Sequence, residues 1–175
     1  PESFDGFSML NEKGDKVSTQ KTKDASVAFV ELEPLSFSTF NKGEALSQEL
    51  ELGHGLTLEN DLIRYDFDKK GQVISAFDKE LKKEVLESAG NILSLYEDRP
   101  NDWDAWDVDF YYRNALVETA EATDTMPGSN GKVVQELNLQ FSVGCSSVIQ
   151  KVKLYPHSKR LDFDTKVDWN EKHKM

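Results

Sequence analysis

The sequence predicts an all-β protein, an antiparallel β-sandwich preceded by a small β-unit. In the segment 160–169, Leu161, Phe163 and Val167 alternate with charged residues, and the same two-residue period runs through 133–143. This period is typical of strands that bury one face and expose the other to water. Few apolar stripes at helical spacing extend beyond two turns, so helices are not expected to be the main element.

Other segments predict further strands of the sandwich. Residues 62–67 and 73–77 are β-type runs separated by a polar turn that ends in Gly71, where glycine supplies a positive φ. The segment 148–154 has apolar residues on one face and lysines on the other, which predicts a third strand. The Met-Pro-Gly-Ser-Asn-Gly stretch at 126–131 is rich in turn-forming residues and predicts a turn.

The first forty residues have a pattern of their own. Residues 7–10 and 17–20 are short β-type runs around a polar turn, which predicts a hairpin. The segment 26–32 predicts another strand, which Pro34 would end, and 36–40 predicts one more.

This pattern divides the chain into three parts. We expect a small β-domain over 1–43, a linker over 44–55, and the first part of a large β-sandwich domain over 56–175. Within the linker, 45–50 is compatible with either a short helix or a plain connection. The chain opens on Pro1 and closes after a charged stretch, so we expect it to belong to a longer protein.

The charge of the chain disfavours several classes of partner. The 175 residues include 21 Lys and Arg against 32 Asp and Glu, a formal net charge of −11. Nucleic acids and anionic membrane surfaces need a basic protein surface, so neither is an expected partner. No apolar run is long enough for a transmembrane helix and no secretory leader is visible. Cys145 is the one cysteine, so no internal disulfide can form, and we expect a reducing, cytoplasmic environment.

The densest group of chemically active side chains lies at 97–109, with six carboxylates and two tryptophans in thirteen residues. A calcium loop needs a third oxygen ligand and a glycine that this segment lacks. Direct contact with a sugar is a second interpretation, because aromatic planes stack on sugar rings and carboxylates accept from hydroxyls. The third is a solvated acidic loop whose tryptophans anchor it to the core or to a neighbouring domain. The candidate docking or sugar-proximal residues are Arg99, Trp103, Asp104, Trp106 and Asp107.

No motif for metal binding or nucleophilic catalysis is present. His54, His157 and His173 are far apart in the sequence and lack the spacing of zinc ligands. Cys145 lies in a run of small residues without an evident basic partner, and we expect it to be buried or at a turn. We therefore expect neither a catalytic residue nor a metal site in this chain.

Several short motifs resemble one known family. They are Leu58-Glu59-Asn60-Asp61, Arg64-Tyr65-Asp66-Phe67, Asp78-Lys79-Glu80, Gly90-Asn91, Leu95-Tyr96-Glu97-Asp98, Trp103-Asp104-Ala105-Trp106-Asp107 and Val167-Asp168-Trp169-Asn170-Glu171. Together they resemble the C-terminal β-domain of α-mannosidases of glycoside hydrolase family 38. The resemblance is strong from about Leu56 onward, and the acidic tryptophan string is its most specific part.

The resemblance implies a parent enzyme that is a retaining, exo-acting, zinc-dependent α-mannosidase. Its zinc ligands, nucleophile and acid catalyst would lie in an N-terminal catalytic domain, so none is assigned to a residue here. This chain would pack against that domain and a helical bundle, and contact the α-mannoside substrate only through the parent. The family's β-domain resembles the mutarotase supersandwich and extends beyond residue 175. We therefore expect an incomplete sandwich with exposed edges that self-associates.

Two other function classes stay open. A stand-alone carbohydrate-binding module would use Trp103 and Trp106 as a stacking platform. An enzyme of the mutarotase type would need a histidine and a carboxylate in one cleft, and His157 or His173 would have to serve. For the parent we expect a location in the cytoplasm of a bacterium. The expectation rests on the missing disulfides and on the resemblance, which is to the bacterial type of the family.

Overall fold

A computed structural model describes residues 4–46, 50–103, 106 and 108–175. These residues form five antiparallel sheets and one short 3₁₀ helix, Phe110–Asn114, with no α-helix among them. In chain order their strands are β1 (Phe7–Leu10), β2 (Lys16–Val17), β3 (Thr19–Lys21), β4 (Ser26–Ala28), β5 (Asn41–Ala45), β6 (Thr57–Glu59), β7 (Ile63–Phe67), β8 (Val73–Asp78), β9 (Lys83–Glu84), β10 (Ser94–Tyr96), β11 (Leu116–Thr119), β12 (Ala122–Asn130), β13 (Gln135–Val143), β14 (Ser146–Leu154) and β15 (Leu161–Asp168). The predicted all-β class is confirmed.

Two four-stranded sheets form the sandwich. One has the order β6-β7-β8-β9 and the other the order β12-β13-β14-β15, each running antiparallel in sequence order. Phe67 and Val73 of the first sheet and Leu137, Phe141 and Val152 of the second belong to one buried cluster. Burying an aliphatic or aromatic side chain of this size stabilises the fold by about 1.5–3 kcal/mol, so this cluster holds the two sheets together.

The hairpin predicted for residues 62–67 and 73–77 is confirmed. β7 pairs with β8 in antiparallel register, and Gly71 in the turn has a φ of 79°. A side chain at this position would cause a steric clash in addition to backbone strain, because a Cβ on Gly71 would lie 2.6 Å from Cζ of Phe141. The turn between β7 and β8 therefore also contacts a central strand of the second sheet, β13.

The prediction of a turn at 126–131 is wrong. Met126 and Pro127 lie inside β12, paired with Asn138 and Leu137, and the turn follows Asn130. β12 is the outer strand of its sheet. An outer strand tolerates a proline because one of its sides needs no ladder hydrogen bonds. A register irregularity between Pro127 and Asn130 accommodates the Pro-Gly pair.

The N-terminal strands are also shorter than predicted. The first hairpin is confirmed as β1 with β2, but β4 ends at Ala28 and 36–40 is not a strand. Leu35 and Phe37 are fully exposed in this part, so no core holds it extended. The next strand is β5, Asn41–Ala45, which pairs with β1 and extends over the first two residues of the expected linker, 44–55. Residues 47–49 of that segment lie outside the described residues.

The N-terminal unit contacts the second sheet of the sandwich, β12-β13-β14-β15. The buried side chain of Gln20 accepts hydrogen bonds from the main-chain N–H groups of Val133 (2.9 Å) and Val134 (2.8 Å) and donates to the carbonyl of Val134 (2.9 Å). Asp24 forms an ion pair with Lys151 on the outer face of the same sheet. Side-chain contacts therefore join the two parts across more than a hundred residues.

No helix in the described part of the chain has the length and apolar character that a membrane crossing needs.

Candidate functional site

The segment 97–109, here called the tryptophan loop, leaves the sheet from a fixed base. Tyr96 exchanges two main-chain hydrogen bonds with Met175, at 2.8 and 3.0 Å, and the N–H of Asp98 donates to the carbonyl of His173. On the other side, the N–H of Glu97 donates to the carbonyl of Ala115. Three chain segments thus meet at the base of the loop.

Asp109 closes the loop on itself. Its Oδ2 atom accepts two hydrogen bonds, from the main-chain N–H of Asn101 (2.9 Å) and from the hydroxyl of Tyr111 (2.7 Å). That hydroxyl also lies 3.2 Å from the carbonyl oxygen of Arg99. The bond from Tyr111, followed by the one from Asn101, lowers the pKa of Asp109, and the same carboxylate raises the pKa of Tyr111. Asp109 and Tyr111 therefore hold the two limbs of the loop together.

The aromatic side chains of the loop point to solvent. Trp103 is 75% exposed, Trp106 is 91% exposed and Phe110, directly after the loop, is 81% exposed. Between the tryptophans, the N–H of Trp106 donates to the carbonyl of Trp103 at 2.7 Å, and Trp103 has a φ of 62°. The loop thus presents large apolar side chains that are mostly exposed. Asp104 and Asp107 lie outside the described residues, so their predicted roles stay predictions.

Arg99 lies near the base of the loop. Its guanidinium pairs with Glu97 at 2.7 Å, and both residues border a cavity of about 180 Å³ with Tyr111 and Tyr112. Tyr112 packs edge-to-face against Tyr96, with 5.2 Å between ring centroids. The Arg99 side chain is 75% exposed, so the pair contributes little to stability. Tyr111 and Tyr112 are half-buried, whereas the two tryptophans are exposed.

Sequence reasoning missed Tyr111, whose hydroxyl secures the loop. The string Phe110-Tyr111-Tyr112 stands directly after the loop and was the available signal. It also missed that 173–175 pairs with Tyr96, which no local pattern encodes.

Two of the motifs that carried the resemblance contribute structural contacts, through Asn60 and Asp78. The Asn60 amide donates to the carbonyls of Tyr155 (2.7 Å) and Ser158 (2.8 Å), and its carbonyl accepts from the N–H groups of Leu62 and Ile63. Asp78 accepts from the ammonium of Lys159 at 2.9 Å. The N–H of Leu81 and then Lys159 lower the pKa of Asp78. These side chains fasten the loop between β14 and β15 to the first sheet.

A larger cavity of about 460 Å³ lies beside these residues. Some of its polar groups are paired with one another: Lys79 contacts Glu59 at 2.7 Å, and the Gln135 side chain bonds the main chain of Glu59 in both directions. No Phe, Tyr or Trp is among the described residues that line it. It therefore lacks the flat apolar surface that favours a sugar ring.

The described residues offer no metal centre. No group of three or more His, Cys, Asp or Glu among them is placed to hold an ion. The ring of His157 packs against Phe29 with 5.0 Å between centroids. Cys145 is exposed at the turn between β13 and β14. Of the two expected positions, buried or at a turn, the structure has the second. We assign no metal ligand or catalytic residue to this chain.

Comparison with known proteins identifies the family. A family model described as the glycosyl hydrolases family 38 C-terminal domain matches residues 58–175. The chain belongs to glycosyl hydrolase family 38. The matched region contains the tryptophan loop, the Asn60 network and both sheets of the sandwich, so the features described above are those of a family 38 C-terminal domain.

Curated relatives of this family 38 chain are α-mannosidases. It is 28% identical over 128 residues to "Alpha-mannosidase G" of Dictyostelium discoideum, a match that covers 69% of this chain and 12% of the relative. It is 28% identical over 129 residues to "Alpha-mannosidase 2C1" of Homo sapiens, covering 71% of this chain and 12% of the relative. The family 38 chain thus spans about an eighth of the length of these proteins.

Proposed function

We propose that this chain is the non-catalytic β-domain portion of a zinc-dependent, retaining α-mannosidase that hydrolyses terminal α-mannosides. The family match over 58–175 and the two α-mannosidase relatives support this proposal. In it, the tryptophan loop docks on a catalytic domain that lies elsewhere in the parent protein. The catalytic carboxylates and the zinc belong to that domain, and no step of the chemistry is assigned to the residues described here.

One observation carries the docking role. Trp103 and Trp106 are exposed at 75% and 91%, yet the loop that bears them is closed by Asp109 and Tyr111. Exposed tryptophans on an ordered support are the residue type that dominates binding energy at protein interfaces. A tryptophan presented in one conformation also loses less conformational entropy when a partner covers it.

The acidic surroundings favour a partner surface of the opposite charge. The chain has a net charge of −11, and the loop itself contains six carboxylates and one Arg. A catalytic domain that receives this loop would therefore present apolar pockets for the two tryptophans with basic residues around them, because unlike charges at the rim guide and orient association.

The activity is tested with the full parent protein and with this chain as the control. We expect hydrolysis of a chromogenic α-mannoside by the parent, loss of that turnover with a zinc chelator, and its return when zinc is added. This chain alone should give no turnover. Turnover by the 175-residue chain alone would overturn the proposal that catalysis lies elsewhere.

The docking role is tested by replacing Trp103 and Trp106 with Ala in the parent. Truncation of an interface tryptophan costs at least about 2 kcal/mol, so each variant should weaken association of the separated domains about thirtyfold. A matched control is Ile74→Ala, which removes an exposed apolar side chain from β8. Unchanged domain association, thermal stability and turnover in the double variant would contradict docking through this loop.

A carbohydrate-binding module is the second candidate, favoured by the same two exposed indole rings. Titration of mannosides into this chain, followed by tryptophan fluorescence, separates the two. Saturable binding that Trp103→Ala abolishes would favour the module, whereas no binding together with impaired docking would favour the domain interface.

A further inference from the structure

The turn between β12 and β13 contains a pair of residues that can react with each other. Asn130 ends β12 and Gly131 follows it, and this is the one Asn-Gly pair in the sequence. Because glycine has no side chain, its main-chain nitrogen is the least hindered nucleophile that can follow an asparagine. When that nitrogen attacks the asparagine carboxamide, the pair loses ammonia and closes a five-membered succinimide ring.

The carboxamide of Asn130 is available for this attack. It forms no hydrogen bond with the residues that the structure describes. Asn130 is half-buried and borders the cavity of about 460 Å³, so water can reach a ring formed at this position. The carboxamide of Asn60, by contrast, donates to two main-chain carbonyls and is held in place.

The attacking nitrogen is restrained by the N-terminal unit. The N–H of Gly131 donates to the carbonyl of Val134 at 3.2 Å, at the long end of the usual range. The side chain of Gln20 packs directly on Gly131, since a Cβ there would lie 2.5 Å from Cδ of Gln20. The same side chain bonds the main chain of Val133 and Val134. Ring closure therefore needs a local opening of the turn in which Gln20 leaves it.

We propose that Asn130 is a site of spontaneous deamidation whose rate is limited by the contact with Gln20. In the open turn, the main-chain nitrogen of Gly131 bonds to Cγ of Asn130 and the Cγ–Nδ2 bond breaks. The proton from the N–H leaves with the amide group as ammonia. Water then opens the succinimide. Hydrolysis at Cγ gives aspartate, and hydrolysis at the main-chain carbonyl gives isoaspartate, in which the backbone runs through Cβ and Cγ.

The products weaken the contact that restrained the reaction. Isoaspartate adds one carbon atom to the main chain three residues before Val133, so the N–H groups that donate to Gln20 are displaced. Both products also add a carboxylate to a cavity that is already bordered by Glu59, Asp61 and Glu136. Like charges in one cavity repel each other. The modification therefore releases the N-terminal unit, and the loss of ammonia makes the release irreversible.

Peptide mass spectrometry of the 175-residue chain, incubated at mildly alkaline pH, tests the site. Deamidation raises the mass of the peptide that contains residue 130 by about 1 Da. Asn114, which is exposed and followed by alanine, is the internal control and should change more slowly. Gln20→Leu should accelerate the change at residue 130 at least about tenfold, because three hydrogen bonds that hold the turn are lost. Equal rates in Gln20→Leu and wild type would overturn the proposal, as would an unchanged mass at residue 130 in both.

Two further measurements separate the turn from the fold as a whole. Hydrogen exchange in β14 should remain as slow in Gln20→Leu as in wild type, and faster exchange there would assign the acceleration to general unfolding and contradict the proposal. Ion exchange separates the deamidated wild-type chain from the unmodified one, because the two differ in charge. The N–H groups of Val133 and Val134 should exchange faster in the deamidated fraction, and equal exchange would overturn the release. No readout depends on mannosidase activity, so the test is independent of the proposed function.

Discussion

The amide of Asn60 donates to the main-chain carbonyl of Tyr155, 95 residues further along the chain, at 2.7 Å. The same side chain bonds Ser158, Leu62 and Ile63, so one asparagine both shapes the turn before β7 and secures the loop after β14. Asn60 is thus one of the points at which the two halves of the sandwich are joined by hydrogen bonds as well as by apolar packing.

Replacing Asn60 with Ala should destabilise the domain by about 3 kcal/mol, because several partly buried hydrogen bonds are lost together. Denaturant unfolding followed by tryptophan fluorescence measures the change. Asp61→Ala is the matched control, since Asp61 is exposed and its side chain has no hydrogen bond within the described residues. Equal unfolding midpoints for the two variants would contradict the role assigned to Asn60.

Gly71→Ala should be more damaging than Gly55→Ala. Both glycines have a φ of 79°, so an alanine costs about 1–2 kcal/mol of backbone strain at either site. Only at Gly71 would the new methyl group also meet Phe141, at 2.6 Å, whereas at Gly55 nothing lies within 4 Å. Thermal unfolding should place Gly71→Ala clearly below Gly55→Ala, and similar melting temperatures would refute the packing contribution.

Glu84 should make the domain sensitive to acid. The hydroxyl of Ser75, followed by the N–H groups of Leu86 and Ala76, lowers the pKa of Glu84 from 4.5 to about 2. A carboxylate whose pKa is lower in the folded state contributes stability above its unfolded pKa and loses it as the pH falls through the folded value. Stability should therefore decline between about pH 4.5 and 2.

Comparison of Glu84→Gln with the wild type checks this contribution. Urea midpoints measured between pH 6 and 2 should decline less steeply in the variant, which has no carboxylate to protonate. Glu87→Gln, a change at an exposed position three residues later, should retain the wild-type slope. The prediction fails if Glu84→Gln and wild type have parallel pH profiles.

Gln20→Leu should loosen the contact between the N-terminal unit and the second sheet of the sandwich. The substitution leaves three main-chain groups of Val133 and Val134 without their partner, at a cost of about 3 kcal/mol. Hydrogen exchange at the N–H groups of Val133 and Val134 should accelerate. Gln140→Leu, at an exposed position of β13, is the control, and unaltered exchange in Gln20→Leu would count against the contact.

Local patterns predicted the strands well where one face is buried. The alternation through 133–143 and the positive φ at Gly71 both follow from neighbouring residues, and both are confirmed. Turn chemistry misled at 126–131, because an outer strand accepts Pro127 where a central strand would not. Whether a strand is at an edge depends on the whole sheet, and no local pattern contains that information.

In the tryptophan loop, too, local sequence predicted some features and long-range contacts determined others. Its composition marked 97–109 as a candidate docking or sugar-proximal segment and left open whether the tryptophans anchor it to the core, and the structure exposes Trp103 and Trp106. The hydrogen bonds that fix the loop come from Tyr111 and from the distant segment 173–175. The contacts with 173–175 follow from topology and were not predictable from spacing, whereas Tyr111 stands directly after the loop.

The position of Gln20 also has a consequence for the time course of synthesis. Its partners Val133 and Val134 follow it by 113 and 114 residues. At the ribosomal rate of about 5–20 residues per second, they are made roughly 6 to 23 seconds after Gln20. During that interval the β3–β4 hairpin can form its own turn but has no sheet to pack against. The nascent N-terminal unit thus remains open to chaperones until the first sheet and β12 have been made.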